Sequence, residues 1–144
     1  MRLGRLRWWH LATVAGLERE IFGPEAWSES LLWTELSAGH DYRGAFDGES
    51  LVGYAGLVLG AGEAWINNIA VAPGWRRRGV ARLLMDDMIS RARAAGATAL
   101  LLEVAVDNLP AQRLYDRYGF DGIGLRKNYY QTTGTDAAVM RMDL

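Results

Sequence analysis

Hydrophobic and polar residues alternate in short runs over the first half of the chain, and these runs predict two helices followed by antiparallel strands. Weak alternation over residues 2–8 predicts an opening strand, after which Val14, Leu17 and Ile21 recur at helical spacing. Ser28 is suited to cap a second helix over residues 29–38. Three apolar runs then predict strands over residues 41–46, 51–59 and 64–71, with an Asp-Gly turn between the first two.

The hydrophobic period changes in the middle of the chain. Apolar residues between Val80 and Ala95 recur on one face of a long helix that stops at Gly96. Residues 98–106 are almost wholly apolar, which is typical of a strand covered on both faces. A strand, a long helix and a buried strand in this order predict a right-handed parallel crossover.

The last part of the chain predicts one more helix and two closing strands. Asn108 is suited to cap the helix, and Gly119 is suited to end it. The closing strands are predicted over residues 120–130 and 137–143. The whole pattern predicts a mixed α/β fold, in which helices pack on one sheet of parallel and antiparallel strands (an α+β mixed sheet).

Length and composition bound what this fold can do. A chain of 144 residues, half of them apolar, suits one domain spanning residues 1–144. The 16 basic and 17 acidic residues give no general basic field, so we expect no direct binding of nucleic acid. No apolar run approaches the length of a membrane span, and Glu18, Arg19 and Glu20 argue against a signal peptide, so we expect no membrane partner.

The absence of cysteine excludes disulfides and thiolate catalysis, and it fits a cytoplasmic protein. The chain has only two histidines, His10 and His40, which are too few for a metal cluster. We therefore expect no metal.

The segment from Val71 to Ala81 is suited to bind an anion. It joins an apolar strand to the long helix, whose first N–H groups are unpaired, and it carries consecutive arginines followed by Gly79. A solvated basic corner is the alternative explanation. The segment is neither G-x-G-x-x-G nor a P-loop, which disfavours nicotinamide cofactors and ATP.

Here Arg76-x-x-Gly79-x-Ala81, after Asn68-Ile-Ala-Val71, resembles the CoA-pyrophosphate motif of the GNAT (Gcn5-related N-acetyltransferase) superfamily. The likeness extends over residues 64–130. It implies an acyl-CoA N-acyltransferase fold with splayed central strands, and acetyl-CoA as the co-substrate. The cofactor-binding residues it implies are Ile69, Ala70, Val71, Arg76, Arg77, Arg78, Gly79, Val80, Ala81, Arg82 and Asn108.

Such a splay requires a bulge in one of the two strands, and Asn67-Asn68 is its expected position. These residues could equally be ordinary polar residues of an exposed strand. Asn108 is also open to two interpretations, as a contact to the pantetheine arm or as a helix cap alone.

The resemblance also assigns catalytic roles to Glu103 and Tyr115. Glu103 interrupts a buried strand, where an unpaired carboxylate would be costly, so a carboxylate paired with an arginine or backbone is the alternative. The resemblance makes it the acceptor of the amine's proton. Tyr115 shares a helical stripe with Ala111 and Tyr118, which suggests a core aromatic, and the resemblance makes it the proton donor to the CoA thiolate.

Three details resemble the bacterial RimI group of this superfamily, which acetylates the N-terminal alanine of ribosomal protein S18: Trp27-Ser28, Asn68-Ile-Ala-Val71 and Lys127-Asn-Tyr-Tyr130. The resemblance implies that the partner is a protein N-terminus, that of ribosomal protein S18. It also implies that Trp27, Tyr129 and Tyr130 bind the substrate, although each could simply pack. A small-molecule amine acetyltransferase and a non-catalytic CoA-binding sensor remain open as alternatives.

Overall fold

The structure is a computed structural model that describes residues 1–130 and 132–144. A seven-stranded mixed sheet runs through it in the order β1-β2-β3-β4-β5-β7-β6. The strands are β1 (Arg2–Arg5), β2 (Asp41–Asp47), β3 (Ser50–Leu59), β4 (Glu63–Val71), β5 (Ala99–Ala105), β6 (Asp121–Tyr130) and β7 (Thr135–Asp143). The α-helices are α1 (Leu11–Phe22), α2 (Glu29–Ser37), α3 (Val80–Ala94) and α4 (Leu109–Tyr118).

Most of the predicted elements and helix ends are confirmed. Ser28 Oγ accepts a hydrogen bond from Leu31 N–H at 3.1 Å and so caps α2. Gly119 follows α4 with a φ of 93°, a left-handed conformation that favours glycine. Residues 41–59 form the expected hairpin, in which Asp47 pairs with Ser50.

The prediction of a strand over residues 2–8 is wrong at its end. The strand ends at Arg5 because two hydrogen bonds join Arg7 to His10. Arg7 N–H donates to His10 Nδ1 at 2.9 Å, and His10 N–H donates to Arg7 O at 3.0 Å. These two bonds turn the chain into a 3-10 turn at Trp8–His10. The indole rings of Trp8 and Trp9 are consequently exposed and do not alternate across a sheet.

Apolar residues cover both faces of the sheet. On one face α3 contributes Val80, Leu84 and Met88 to a cluster that includes strand residues such as Leu57 and Leu102. On the other face Leu11 and Val14 of α1 and Leu32 of α2 pack with residues of β2 and β3. The mixed α/β fold predicted from the sequence is confirmed.

The central strands β4 and β5 separate halfway along their length. They are parallel and paired only from Glu63 opposite Ala99 to Ile66 opposite Leu102. Just beyond this point Asn67 is an extra residue of β4, because the register with β3 passes from Leu57–Ile66 to Gly56–Asn68. The predicted splay and the predicted bulge at Asn67-Asn68 are both confirmed. Within the described residues, no helix is long and apolar enough to cross a membrane.

Candidate active site

The splay opens a cavity of about 610 Å³ between β4 and β5. Its walls come from both strands, from the segment between α1 and α2, from α4 and from the end of β6. Among the predicted catalytic, cofactor-binding and substrate-binding residues, those that line it are Trp27, Ile69, Glu103, Asn108, Tyr115, Tyr129 and Tyr130. The fold therefore brings the predicted catalytic and substrate-binding residues around one space.

Glu103 extends from β5 into this cavity and is paired on one side only. Its Oε1 lies 3.0 Å from Arg126 Nε of β6, and its side chain is 15% exposed. Its Oε2 is buried and has no donor in hydrogen-bonding geometry among the described residues. The pairing with an arginine left open by the sequence is present, and it leaves one carboxylate oxygen able to accept a proton or a hydrogen bond.

Tyr129 and Tyr130 reach the same cavity because β6 bulges. Lys127, Asn128 and Tyr129 stand opposite Asp136 alone, between the pairs Arg126–Ala137 and Tyr130–Thr135. In a regular strand two successive side chains would point to opposite faces, whereas here both rings line the cavity, 5.0 Å apart between centroids.

Asp136 holds this bulge in place. Its Oδ1 accepts Asn128 N–H at 2.8 Å, and Oδ2 lies 3.4 Å from Lys127 Nζ. The Asn128 bond and Lys127 lower the pKa of Asp136. Asn128 itself has a φ of 51°, a left-handed conformation that asparagine tolerates better than most residues.

Both tyrosines remain protonated at neutral pH. Burial, followed by the nearby Glu103 carboxylate, raises the pKa of Tyr129 to about 12. Burial and then the charges of Glu103, Glu25 and Asp107 raise the pKa of Tyr130. Their hydroxyls can therefore donate as well as accept hydrogen bonds in the cavity.

Tyr115 and Asn108 line the part of the cavity wall that α4 forms, Tyr115 from within the helix and Asn108 as its N-cap. Tyr115 is 5% exposed, and its ring lies 5.8 Å from that of Phe120, so it belongs to the core and to the cavity wall at once. Burial, with a smaller contribution from Tyr130, raises the pKa of the Tyr115 phenol. Asn108 Oδ1 accepts Ala111 N–H at 3.3 Å, which confirms its capping role and leaves its amide NH₂ to be used elsewhere.

Two carboxylates that were not identified from the sequence hold the bulge of β4, the half-buried Glu35 and the buried Glu18. Glu35 of α2 accepts a hydrogen bond from Asn67 Nδ2 at 2.7 Å, and Glu18 of α1 accepts one from Asn68 Nδ2. Glu18 is 1% exposed, and it lies three residues before Ile21 and four after Val14. A carboxylate in the apolar stripe of a helix was the signal that could have found it.

The predicted anion-binding residues lie beyond this cavity, at the start of α3. The first helical bond there runs from Leu83 N–H to Gly79 O at 3.0 Å, so the N–H groups of Val80, Ala81 and Arg82 precede it. Arg77 and Gly79 have φ values of 62° and 83°, and backbone of this kind forms anion-binding concavities.

Around this turn the arginine side chains are exposed, whereas two of the predicted apolar residues are buried. Those of Arg76, Arg77, Arg78 and Arg82 are exposed, and Arg78 lies 4.4 Å from the centroid of the Trp75 ring. The side chains of Ala70 and Val80 are buried in the core, so only their backbone groups could reach a ligand. Among the described residues, no group of three or more His, Cys, Asp or Glu side chains is placed to hold a metal ion.

A parallel strand pair that opens at a bulge, beside a helix that starts in an arginine- and glycine-containing turn, is the arrangement implied by the resemblance to the N-acetyltransferases. Residues 7–120 match the acetyltransferase (GNAT) family, and the chain belongs to that family.

The chain is 38% identical over 135 residues to N-alpha-acetyltransferase RimI of Mycobacterium tuberculosis, covering 90% of this chain and 84% of that protein. It is 34% identical over 104 residues to the ribosomal protein bS18-alanine N-acetyltransferase of Haemophilus ducreyi, covering 72% of each. The crystal structure of the ribosomal-protein-S18-alanine N-acetyltransferase from Escherichia coli superimposes with a TM-score of 0.87 at 27% identity, covering 99% of this chain and 92% of that one.

Proposed function

We propose that this acetyltransferase moves the acetyl group of acetyl-CoA directly onto a protein N-terminal amine. The observation that carries the proposal is the single cavity in which the half-paired Glu103 faces the side-by-side tyrosines Tyr129 and Tyr130. A carboxylate that can take a proton and two phenols that can hold a peptide backbone are the groups this reaction needs.

The residues present fit acetyl-CoA. Beyond Ile66 the edge of β4 that faces β5 is no longer paired with it, so its peptide groups can pair with the amides of a pantetheine arm. The amide NH₂ of Asn108 can reach the same arm. The pyrophosphate would meet the free N–H groups at the start of α3 and the arginines beside them.

The proposed roles are those that the family resemblance implies, and the positions of Glu103 and Tyr115 on the cavity wall support them. Acetyl-CoA supplies the acetyl group as a thioester. Glu103 Oε2, directly or through water, accepts the proton that the substrate ammonium loses before its nitrogen attacks. Backbone N–H groups near Val71 stabilise the negative charge that develops on the carbonyl oxygen. Tyr115 gives its proton to the departing thiolate, so the C–N bond forms and the C–S bond breaks without a covalent enzyme intermediate.

The proposed substrate is the N-terminal alanine of ribosomal protein S18. The names of the H. ducreyi and E. coli relatives specify ribosomal protein S18, and that of the M. tuberculosis relative specifies an α-amine; both support this choice. Trp27, which lines the cavity from the segment before α2, is proposed to contact the first residues of the peptide. We expect the reaction to take place in the cytoplasm, where ribosomal proteins are made.

The test is consumption of acetyl-CoA with a short peptide that begins Ala-Arg-Tyr-Phe. The same peptide with a blocked N-terminus and the polyamine spermidine serve as comparisons. Turnover on the free peptide alone is the expected result. Turnover on spermidine and on neither peptide would contradict the proposal and indicate a small-molecule acetyltransferase, and tight acetyl-CoA binding without turnover on any amine would indicate a sensor.

A further inference from the structure

The Glu18 carboxylate connects three separate elements of the protein. Its Oε1 accepts hydrogen bonds from the Tyr54 hydroxyl of β3 and from Asn68 Nδ2 of β4. Its Oε2 accepts the backbone N–H of Trp27, in the segment between α1 and α2, at 3.0 Å. With 1% of its surface exposed, Glu18 has its charge offset by donors from three directions.

Two of these three donors belong to the walls of the active-site cavity. Asn68 is part of the bulge that separates β4 from β5, and it precedes Ile69, where the edge proposed to bind the cofactor begins. Trp27 lines the cavity from the side proposed to receive the peptide. Glu18 therefore connects the cofactor side of the cavity to the substrate side through one carboxylate.

Stability of the fold is a weak explanation for a carboxylate in this position. Apolar residues of similar volume often stabilise a protein as well as buried charges do. The apolar stripe of α1 already contains Leu11, Val14 and Ala15, so a fourth apolar residue would extend the core without interruption. What an apolar residue could not do is hold Asn68 and Trp27 N–H at a fixed separation.

We propose that Glu18 is a positioning residue for acetyl transfer. Through Asn68 it fixes the bulge that directs the β4 backbone at the thioester, and through Trp27 it fixes the segment that admits the amine. The nucleophile and the carbonyl carbon then meet in the correct register. This inference rests on the proposed function, because it assigns the two walls to the two substrates.

The test separates positioning from folding by replacing the buried polar pair with an apolar pair. The double variant Glu18→Met/Tyr54→Phe removes the carboxylate and also the hydroxyl that would otherwise be left unpaired. We expect it to fold with a melting temperature close to that of the wild type. Its kcat/KM for the peptide should fall roughly a hundredfold, the loss expected when reacting groups shift by about 1 Å.

Two single variants show which connection matters. Tyr54→Phe is the matched control, because it leaves the bonds from Asn68 and Trp27 to Glu18 in place and Tyr54 does not line the cavity. We expect its kcat/KM to stay near that of the wild type. Asn68→Ala releases the bulge alone, so kcat should fall while the KM for the peptide stays nearly unchanged.

Hydrogen exchange gives a measurement that needs no turnover. The Trp27 amide should be protected in the wild type and in Tyr54→Phe, and it should exchange faster in the double variant. A double variant that keeps its kcat/KM, or in which Trp27 exchange is unchanged, would overturn the proposal. A loss in Tyr54→Phe as large as that in the double variant would also overturn it, because the effect would then be one of general stability.

Failure of the proposed function would give a different result. A wild-type protein that acetylates no peptide contradicts that function alone. The affinity for acetyl-CoA then tests the role of Glu18, because release of the bulge in Asn68→Ala should raise the Kd about tenfold, the low end expected for a lost hydrogen bond to a charged group. An unchanged Kd would overturn the positioning role.

Discussion

Replacing Tyr115 by phenylalanine removes one oxygen from the cavity wall and keeps the ring that packs beside Phe120. The reaction then loses the proposed proton donor to the departing thiolate. A positioned acid typically contributes a factor of about 10² to 10⁴. Because a thiol, with a pKa of about 8.5, leaves as an anion more easily than an alcohol does, we expect the low end: kcat lower by about a hundredfold, or about 2.7 kcal/mol of barrier.

The assay follows thiol release with saturating acetyl-CoA and peptide. Because burial raises the pKa of Tyr115, the wild type should not lose this acid below about pH 10, the ordinary tyrosine value. Tyr118→Phe is the control on the same helix. The Tyr118 hydroxyl donates to Asp86 Oδ1 at 2.8 Å and does not line the cavity, so its loss should cost about 0.5–1.5 kcal/mol of stability and leave kcat unchanged.

Two results would refute this reasoning. A Tyr115→Phe variant whose kcat stays within about threefold of the wild type would exclude Tyr115 as the acid. A Tyr118→Phe variant that loses as much activity as Tyr115→Phe would show that the loss reflects the packing of α4 rather than proton donation.

Three further variants test other parts of the structure. Burial raises the pKa of Glu35, but hydrogen bonds with Asn67, His40 and Tyr42 outweigh burial and lower the pKa below its ordinary value. The ionised Glu35 therefore stabilises the fold above its ordinary pKa, and this stabilisation is lost as the pH falls through the lowered value. The wild-type melting temperature should therefore fall more steeply than that of Glu35→Gln below about pH 4.5, and parallel curves would contradict this. Gly79→Ala would place a side chain at a φ of 83°, so it should cost about 1–2 kcal/mol of stability. It should also weaken acetyl-CoA binding in a calorimetric titration, and an unchanged Kd would exclude this turn from the cofactor site. In Gly56→Ala a Cβ would stand 2.3 Å from Tyr42 Cζ, so denaturant unfolding should show a loss of about 1–3 kcal/mol. Wild-type stability would contradict this close packing of the Tyr42 ring against Gly56.

Much of the fold follows from local patterns in the sequence. The change of hydrophobic period at Val80 and the apolar run before Glu103 predicted the parallel crossover, because a helix of that length between two strands returns the chain to the same sheet. The bulge was expected because the splayed strands implied by the family resemblance require one, and the adjacent polar residues Asn67 and Asn68 marked its expected position.

The parts that escaped prediction depend on contacts between distant segments. Arg126 is far from Glu103 in the sequence, and only the pairing of β6 and β5 with β7 brings them together. The Glu18 and Asn68 contact likewise spans fifty positions. The end of β1 was missed for a different reason, because the turn at Trp8–His10 is set by the His10 side chain and not by the hydrophobic pattern.

The measurement that tests the central claim most directly is the position of the acetyl group on a peptide that offers two amines. A peptide beginning Ala-Arg-Tyr-Phe and containing one internal lysine is incubated with acetyl-CoA, and the product is fragmented in a mass spectrometer. We predict acetylation at the α-amine, because its pKa of about 8 makes it far easier to deprotonate than a lysine of pKa about 10.4. Comparable acetylation of the lysine would contradict an active site built for a protein N-terminus.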